Sequence, residues 1–161
     1  MATSTTKKAV VRRFDREPLC GYVNPVFFLQ PGGVEVLSVE GNIAAIPYAD
    51  IKTIAFVRDF TPSDQPERRV FQTRPKMEGL WVVLQFRDGD ALEGIMPNNL
   101  LQVEHYGFTI VPPDSSSNHQ RIFAPREALR AVEVLGVVGS PLNRRKTKPG
   151  AKEQISLFDE P

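Results

Sequence analysis

Near the end of the chain stands Gln154-Ile155-Ser156-Leu157-Phe158, a primary amide three residues ahead of an apolar pair. It follows a polar, basic stretch, Ser140 to Glu153, that holds two prolines and little that is apolar. The chemistry such a segment offers is recognition. Leu157 and Phe158 would each gain roughly 1.5–3 kcal/mol on entering an apolar pocket, before ordering costs. The Gln154 amide, both donor and acceptor, would fix the register of the segment beside that pocket. Other reactive groups lack partners for catalysis. Cys20 has no base near it in sequence, and a thiol needs one to act as a nucleophile. His105 and His119 have no Cys, His or carboxylate at metal-ligand spacing. Asp114-Ser115-Ser116-Ser117-Asn118 follows two prolines and precedes a strand pattern, which is the composition of a hairpin loop. With no Gly-rich phosphate loop either, the chain is expected to be non-enzymatic, without catalytic residues, cofactor, metal or small-molecule substrate.

The elements that must carry these residues are short strands. Val10-Val11-Arg12-Arg13-Phe14 turns through Asp15–Pro18 into Leu19-Cys20-Gly21-Tyr22-Val23. The same pattern returns as Val82-Val83-Leu84-Gln85-Phe86, turning through Arg87–Asp90 into Leu92-Glu93-Gly94-Ile95-Met96. Asp88-Gly89 is a strong hairpin signal, because Gly reaches the positive φ the tight turn requires. Laid strand on strand, the first copy is one residue shorter at this turn. Further on, Ile46 to Ile54 aligns without gaps with Ala124 to Val132. In both copies a strand should end at the proline, Pro47 or Pro125, and a helical turn should follow. Last strands are expected over Thr53–Val57 and Ala131–Val137. Two further apolar runs lie within each copy, Val26–Gln30 with Val34–Val39 and Tyr106–Val111 with Gln120–Phe123. Each copy therefore reads as five short strands with one helical turn before the last.

That order resembles the SH3-like or Sm-like small β-barrel. The resemblance implies an all-β fold of two tandem five-stranded barrels, the internal repeat, with a disordered C-terminal tail. The expected organisation is a first repeat over 8–59, a Pro-rich linker over 60–78, a second repeat over 79–138, and a flexible tail over 139–161 that carries the peptide 154–158. The tandem layout also looks like a bacterial family of uncharacterised small β proteins.

The string Gln-x-Ser-Leu-Phe resembles the peptide by which many bacterial proteins bind the β sliding clamp of the DNA polymerase. The resemblance implies that Gln154, Ile155, Ser156, Leu157 and Phe158 dock on the clamp, which makes the protein an accessory of DNA replication or repair; Ile155 replaces the more usual Leu. The alternative is an Sm-like nucleic-acid-binding or protein-scaffold module with an incidental tail. In Sm-like proteins the loops after the second and fourth strands contact RNA, and Asn24, Asn98 and Asn99 fall after the second, which makes them candidate contacts to DNA or RNA. Arg144, Arg145 and Lys146 would add positive charge. Arg68, Arg69 and Arg74 are similar to the arginine motif of cyclic-di-GMP-binding barrels, but the Asp/Asn-x-Ser-x-x-Gly string that should follow is absent.

Composition bounds these readings. The 161 residues suffice for one ordinary or two very small domains, and 41% of them are hydrophobic, enough for a core. A formal charge of +1 excludes a polyelectrolyte binder of nucleic acid. The single cysteine excludes an internal disulfide and suits a reducing compartment. Met1–Thr6 lacks the apolar segment of a signal peptide, and no apolar run approaches the roughly 20 residues of a membrane span. A cytoplasmic protein is expected.

Overall fold

The computed structural model describes residues 6–60, 68–113 and 118–139. Every described element longer than three residues is a strand. The first half holds β1 (Lys7–Arg13), β2 (Leu19–Val23), the two-residue β3 (Leu29–Gln30), β4 (Gly33–Ser38), β5 (Ile43–Ile46) and β6 (Ile51–Val57). The second holds β7 (Gly79–Phe86), β8 (Ala91–Met96), β9 (Gly107–Ile110), β10 (His119–Pro125) and β11 (Leu129–Val138). Pro47 and Pro125, with φ −60° and −63°, each lead into a single helical turn, Tyr48–Asp50 and Arg126–Ala128. The ring fixes φ near the value that such a turn needs and withholds the N–H that would continue the strand.

The run Val26–Gln30 is not the strand expected. The Asn24 carbonyl accepts from the N–H groups of both Phe27 and Phe28, so the chain turns there and only Leu29–Gln30 pairs. The fourth strand of the first half is instead Ile43–Ile46, an antiparallel partner of β4.

The strand pairing recurs in the second half, but the register of its first strand differs from the sequence alignment by one residue. Val11 lies opposite Ile54 and Arg13 opposite Ile51, with Lys52 skipped between them. Leu84 lies opposite Val132 and Phe86 opposite Leu129, with Arg130 skipped. Val11 therefore corresponds to Leu84 and Arg13 to Phe86. On this register the turn after β1 is as long as the turn after β7, and no residue is missing. The correction follows from side-chain period: a slip of one would send the wholly buried Val11 and Leu84 to opposite faces.

Strands follow the order β5-β4-β2-β1-β6-β10-β9 in one antiparallel sheet, with β3 at the other side of β4, and β11-β7-β8 in a second. A single bridge, Ile95 to Val111, connects β8 to the end of β9. The two halves are stitched where β6 pairs with β10, Phe123 opposite Ile54 and Ile122 opposite Ala55. This seam is buried on both faces. Ile54, Phe56 and Phe123 face a first core with Val11, Val34 and Val36, while Ala55, Val57, Ile122 and Ala124 face a second with Val82, Leu84 and Phe86. A strand covered on both sides reads as a continuous apolar run, as Ile54-Ala55-Phe56-Val57 does.

The segment before β7 packs along the second half. The Glu93 N–H donates to the Arg69 carbonyl at 2.8 Å, the Phe71 ring meets Trp81 edge to face at 6.2 Å, and the Arg74 guanidinium donates to the Val137 carbonyl at 3.0 Å.

Candidate functional site

The peptide Gln154–Phe158 and the basic residues Arg144, Arg145 and Lys146 lie outside the described residues. The asparagines lie within them and do local work. Asn24 Oδ1 accepts from the Val26 N–H at 2.9 Å, and Asn99 Oδ1 caps the helical turn Leu100–Gln102 by accepting from the Leu101 N–H at 3.0 Å. Both side chains are thus engaged in turning their loops, as Asn does in Asx turns. Asn98 is exposed beside the second. What the two loop tips present to solvent is apolar: Val26 and Phe27 on one, and Leu100 and Leu101, 80% and 95% exposed, on the other.

The tyrosines are packed among neighbours. Tyr48 stacks on Tyr106 with ring centroids 4.8 Å apart, and its hydroxyl donates to the Gln30 carbonyl at 2.6 Å. Burial pushes the Tyr48 hydroxyl up to about 12, helped by Tyr106. Tyr22 meets Phe60 edge to face. Cys20 is half-buried, and His105 packs edge-on against Tyr106. Among the described residues no group of three or more His, Cys, Asp or Glu is placed to hold a metal.

The charged cluster sits where the second half's hairpin meets β6. Lys52 Nζ donates to Asp88 at 2.6 Å and to Asp90 at 2.5 Å, and Arg69 reaches Asp90 at 3.2 Å. Burial alone would pull the Lys52 ammonium down, but the two carboxylates outweigh it and leave it raised. The hydrogen bonds from Lys52 hold Asp88 and Asp90 below the usual carboxylate range. Beside them the Arg87 guanidinium lies 4.0 Å from the centre of the Phe14 ring and donates to the Ala49 carbonyl at 2.8 Å. Lys52 from the first half meets both carboxylates of the second, and Arg87 reaches back to Phe14 and Ala49, so the cluster acts as a clasp.

An open groove of about 590 Å³ lies on the second half. Leu80, Val82 and Met96 contribute apolar surface from β7 and β8, and Val132 and Val134 from β11. Glu104, His105 and Arg126 supply its polar lining. Arg126 is held, its Nε donating to the His105 carbonyl at 3.2 Å and its guanidinium 5.0 Å from the centre of the Phe108 ring. The groove offers an apolar seat beside a fixed cation, and none of its lining groups is a nucleophile paired with a base. Sequence reasoning did not find it. The available signal was Val134–Val138, an apolar run at the end of the last strand.

Fold and groove together define an all-β protein of two antiparallel sheets with an internal repeat, among whose described residues no helix is long and apolar enough to cross a membrane. Residues 5–136 match a family of unknown function (DUF6982), and the chain belongs to that family. The match ends before Gln154–Phe158. No curated protein and no solved structure matches the chain.

Proposed function

We propose that this is a non-enzymatic bacterial accessory protein that binds the β sliding clamp through Gln154-Ile155-Ser156-Leu157-Phe158 and acts in DNA replication or repair. The observation that carries the reading is the string itself: an amide at the first position, Ser at the third, and Leu-Phe at the fourth and fifth, behind a basic stretch. The body is read as two SH3/Sm-like barrels that the peptide tethers to the clamp. The strand orders support this, since β5-β4-β2-β1-β6 in the first half parallels β10-β9, a bridge, then β8-β7-β11 in the second. The Sm-like nucleic-acid reading has less support, because the Asn24 and Asn99 side-chain oxygens are taken by their own loops.

The test is fluorescence anisotropy of the labelled full chain titrated with a bacterial β clamp, beside the variant carrying Leu157→Ala and Phe158→Ala. Saturable binding near the micromolar range, lost in the variant, supports the tether. No binding at tens of micromolar, or equal binding by the variant, removes it.

A further inference from the structure

Among the described residues the repeat leaves two strand edges without a strand partner, and they are the two halves of a contact the chain already makes inside itself. At the seam, the last strand of the first half, β6, pairs with the fourth strand of the second half, β10. Their counterparts are β11, the last strand of the second half, and β5, the fourth strand of the first. Among the described residues β11 pairs only with β7, and β5 only with β4. Exposure records the difference. β6 is buried at six of its seven positions, whereas Val134, Leu135 and Val137 of β11 are 57%, 48% and 52% exposed. Ile43 on β5 is 71% exposed.

We infer that a second copy of this chain adds its β5 to β11, reproducing between molecules the pairing of β10 with β6. The gap-free correspondence of Ile46–Ile54 with Ala124–Val132 fixes the register. Phe123 opposite Ile54 becomes Ala45 opposite Val132, and Arg121 opposite Phe56 becomes Ile43 opposite Val134. Val132 and Val134 line the open groove, so Ile43 and Ala45 of the incoming strand face it. The groove itself has the same origin. In the first half, Phe123 from the neighbouring repeat packs against Phe28 with ring centroids 5.6 Å apart. In the second half no described strand pairs with the free edge of β11, and the groove opens on that side.

The contact is head-to-tail, because the edge given and the edge received are different surfaces. Such an interface propagates until it closes into a ring or continues as a filament. It should also be weaker than the seam. On the opposite face Ala44 would meet the solvent-facing Glu133, where the seam places Ile122 against the buried Ala55. A reversible, concentration-dependent assembly is therefore expected. The inference does not depend on clamp binding.

Sedimentation velocity on the full chain from about 1 to 200 μM, with Ile43→Lys and Val134→Lys variants, tests it. Both positions are exposed in the single chain, so the variants should fold, as circular dichroism would confirm, while a lysine on an edge strand blocks pairing. The wild type should form species larger than a dimer as concentration rises. Each variant alone should stay monomeric or associate at least tenfold more weakly. The two variants mixed should give a 1:1 dimer and nothing larger, because each keeps the edge the other needs. A monomeric wild type at 200 μM overturns the proposal, and includes the case in which the chain's own last residues lie on β11. Association of Val134→Lys equal to wild type, or a mixture that remains monomeric while the wild type assembles, also overturns it.

Discussion

Replacing Phe123 by Ala should destabilise the first half of the molecule although the residue belongs to the second. Phe123 is completely buried, lies opposite Ile54, and packs edge to face on Phe28 in the core formed by Val11, Val34 and Val36. Truncating a buried Phe to Ala costs about 3–5 kcal/mol, in which loss of the perpendicular ring contact is included. Against a domain stability of roughly 5–15 kcal/mol this is a fifth or more of the total. Urea unfolding followed by fluorescence reads the result conveniently, because the single tryptophan, Trp81, stands on β7 in the second half, away from the first core. With a slope of about 2 kcal/mol/M, the midpoint should fall by roughly 1.5–2.5 M. Hydrogen exchange supplies the location. Amides of β1, β2 and β4 should lose protection together with those of β6 and β10, because the seam makes the two cores one cooperative unit. A midpoint shift below about 0.5 M, or loss of protection confined to β9 and β10, would refute the reasoning, since the first core would then stand without its borrowed ring.

Two further outcomes follow from local geometry. Gly21→Ala should destabilise by about 1–3 kcal/mol in thermal or urea unfolding, because a Cβ there would lie 2.6 Å from the Leu37 carbonyl oxygen and 2.7 Å from Val36 Cγ1 and would force β2 from β4; stability within about 0.5 kcal/mol of wild type would refute the close approach. Tyr48, raised to about 12 from an ordinary value of 10.0, contributes stability that is complete below pH 10 and is lost as pH rises towards 12, since ionising the buried hydroxyl favours the unfolded chain. Tyr48→Phe should flatten that alkaline loss in melting temperature while costing about 1 kcal/mol at neutral pH for the bond to Gln30.

How far the sequence reveals this molecule depends on the range of the interaction concerned. Asp88-Gly89 and the two prolines act within a few residues, and the hairpin and both helical turns stand where those residues imply. Val26–Gln30 misleads because apolar content outweighs the Asn24-Pro25 turn in a pattern reading, although Val26 and Phe27 end up in solvent. The one-residue slip between the copies arises because Val10 and Val82 are alike in type, and only the partner strand shows that Val10 corresponds to Val83. The seam was hinted at by the unbroken apolar run Ile54–Val57, but its partner lies beyond the linker and no local pattern names it. The groove is less visible still, since it depends on which strands β11 pairs with, and no local pattern names them. The candidate peptide, by contrast, needs no fold to be read, and the folded body adds nothing to its identification.

The seam also sets a timetable. β6 leaves the ribosome with the first half, and the strand that covers its free edge, β10, is completed only when residues up to Pro125 have been made. During that interval Ala55 and Val57 have no second core to enter, and the nascent first half carries an apolar strand edge able to accept β10 from any finished chain nearby. Exchange of β10 between two molecules would satisfy every hydrogen bond of the native seam, so a tangled dimer formed during synthesis would be as well bonded at that edge as the correct monomer. Intramolecular pairing has only one advantage over it, the high local concentration provided by the intervening chain, and lengthening that chain or slowing its synthesis should shift the balance towards the swapped form.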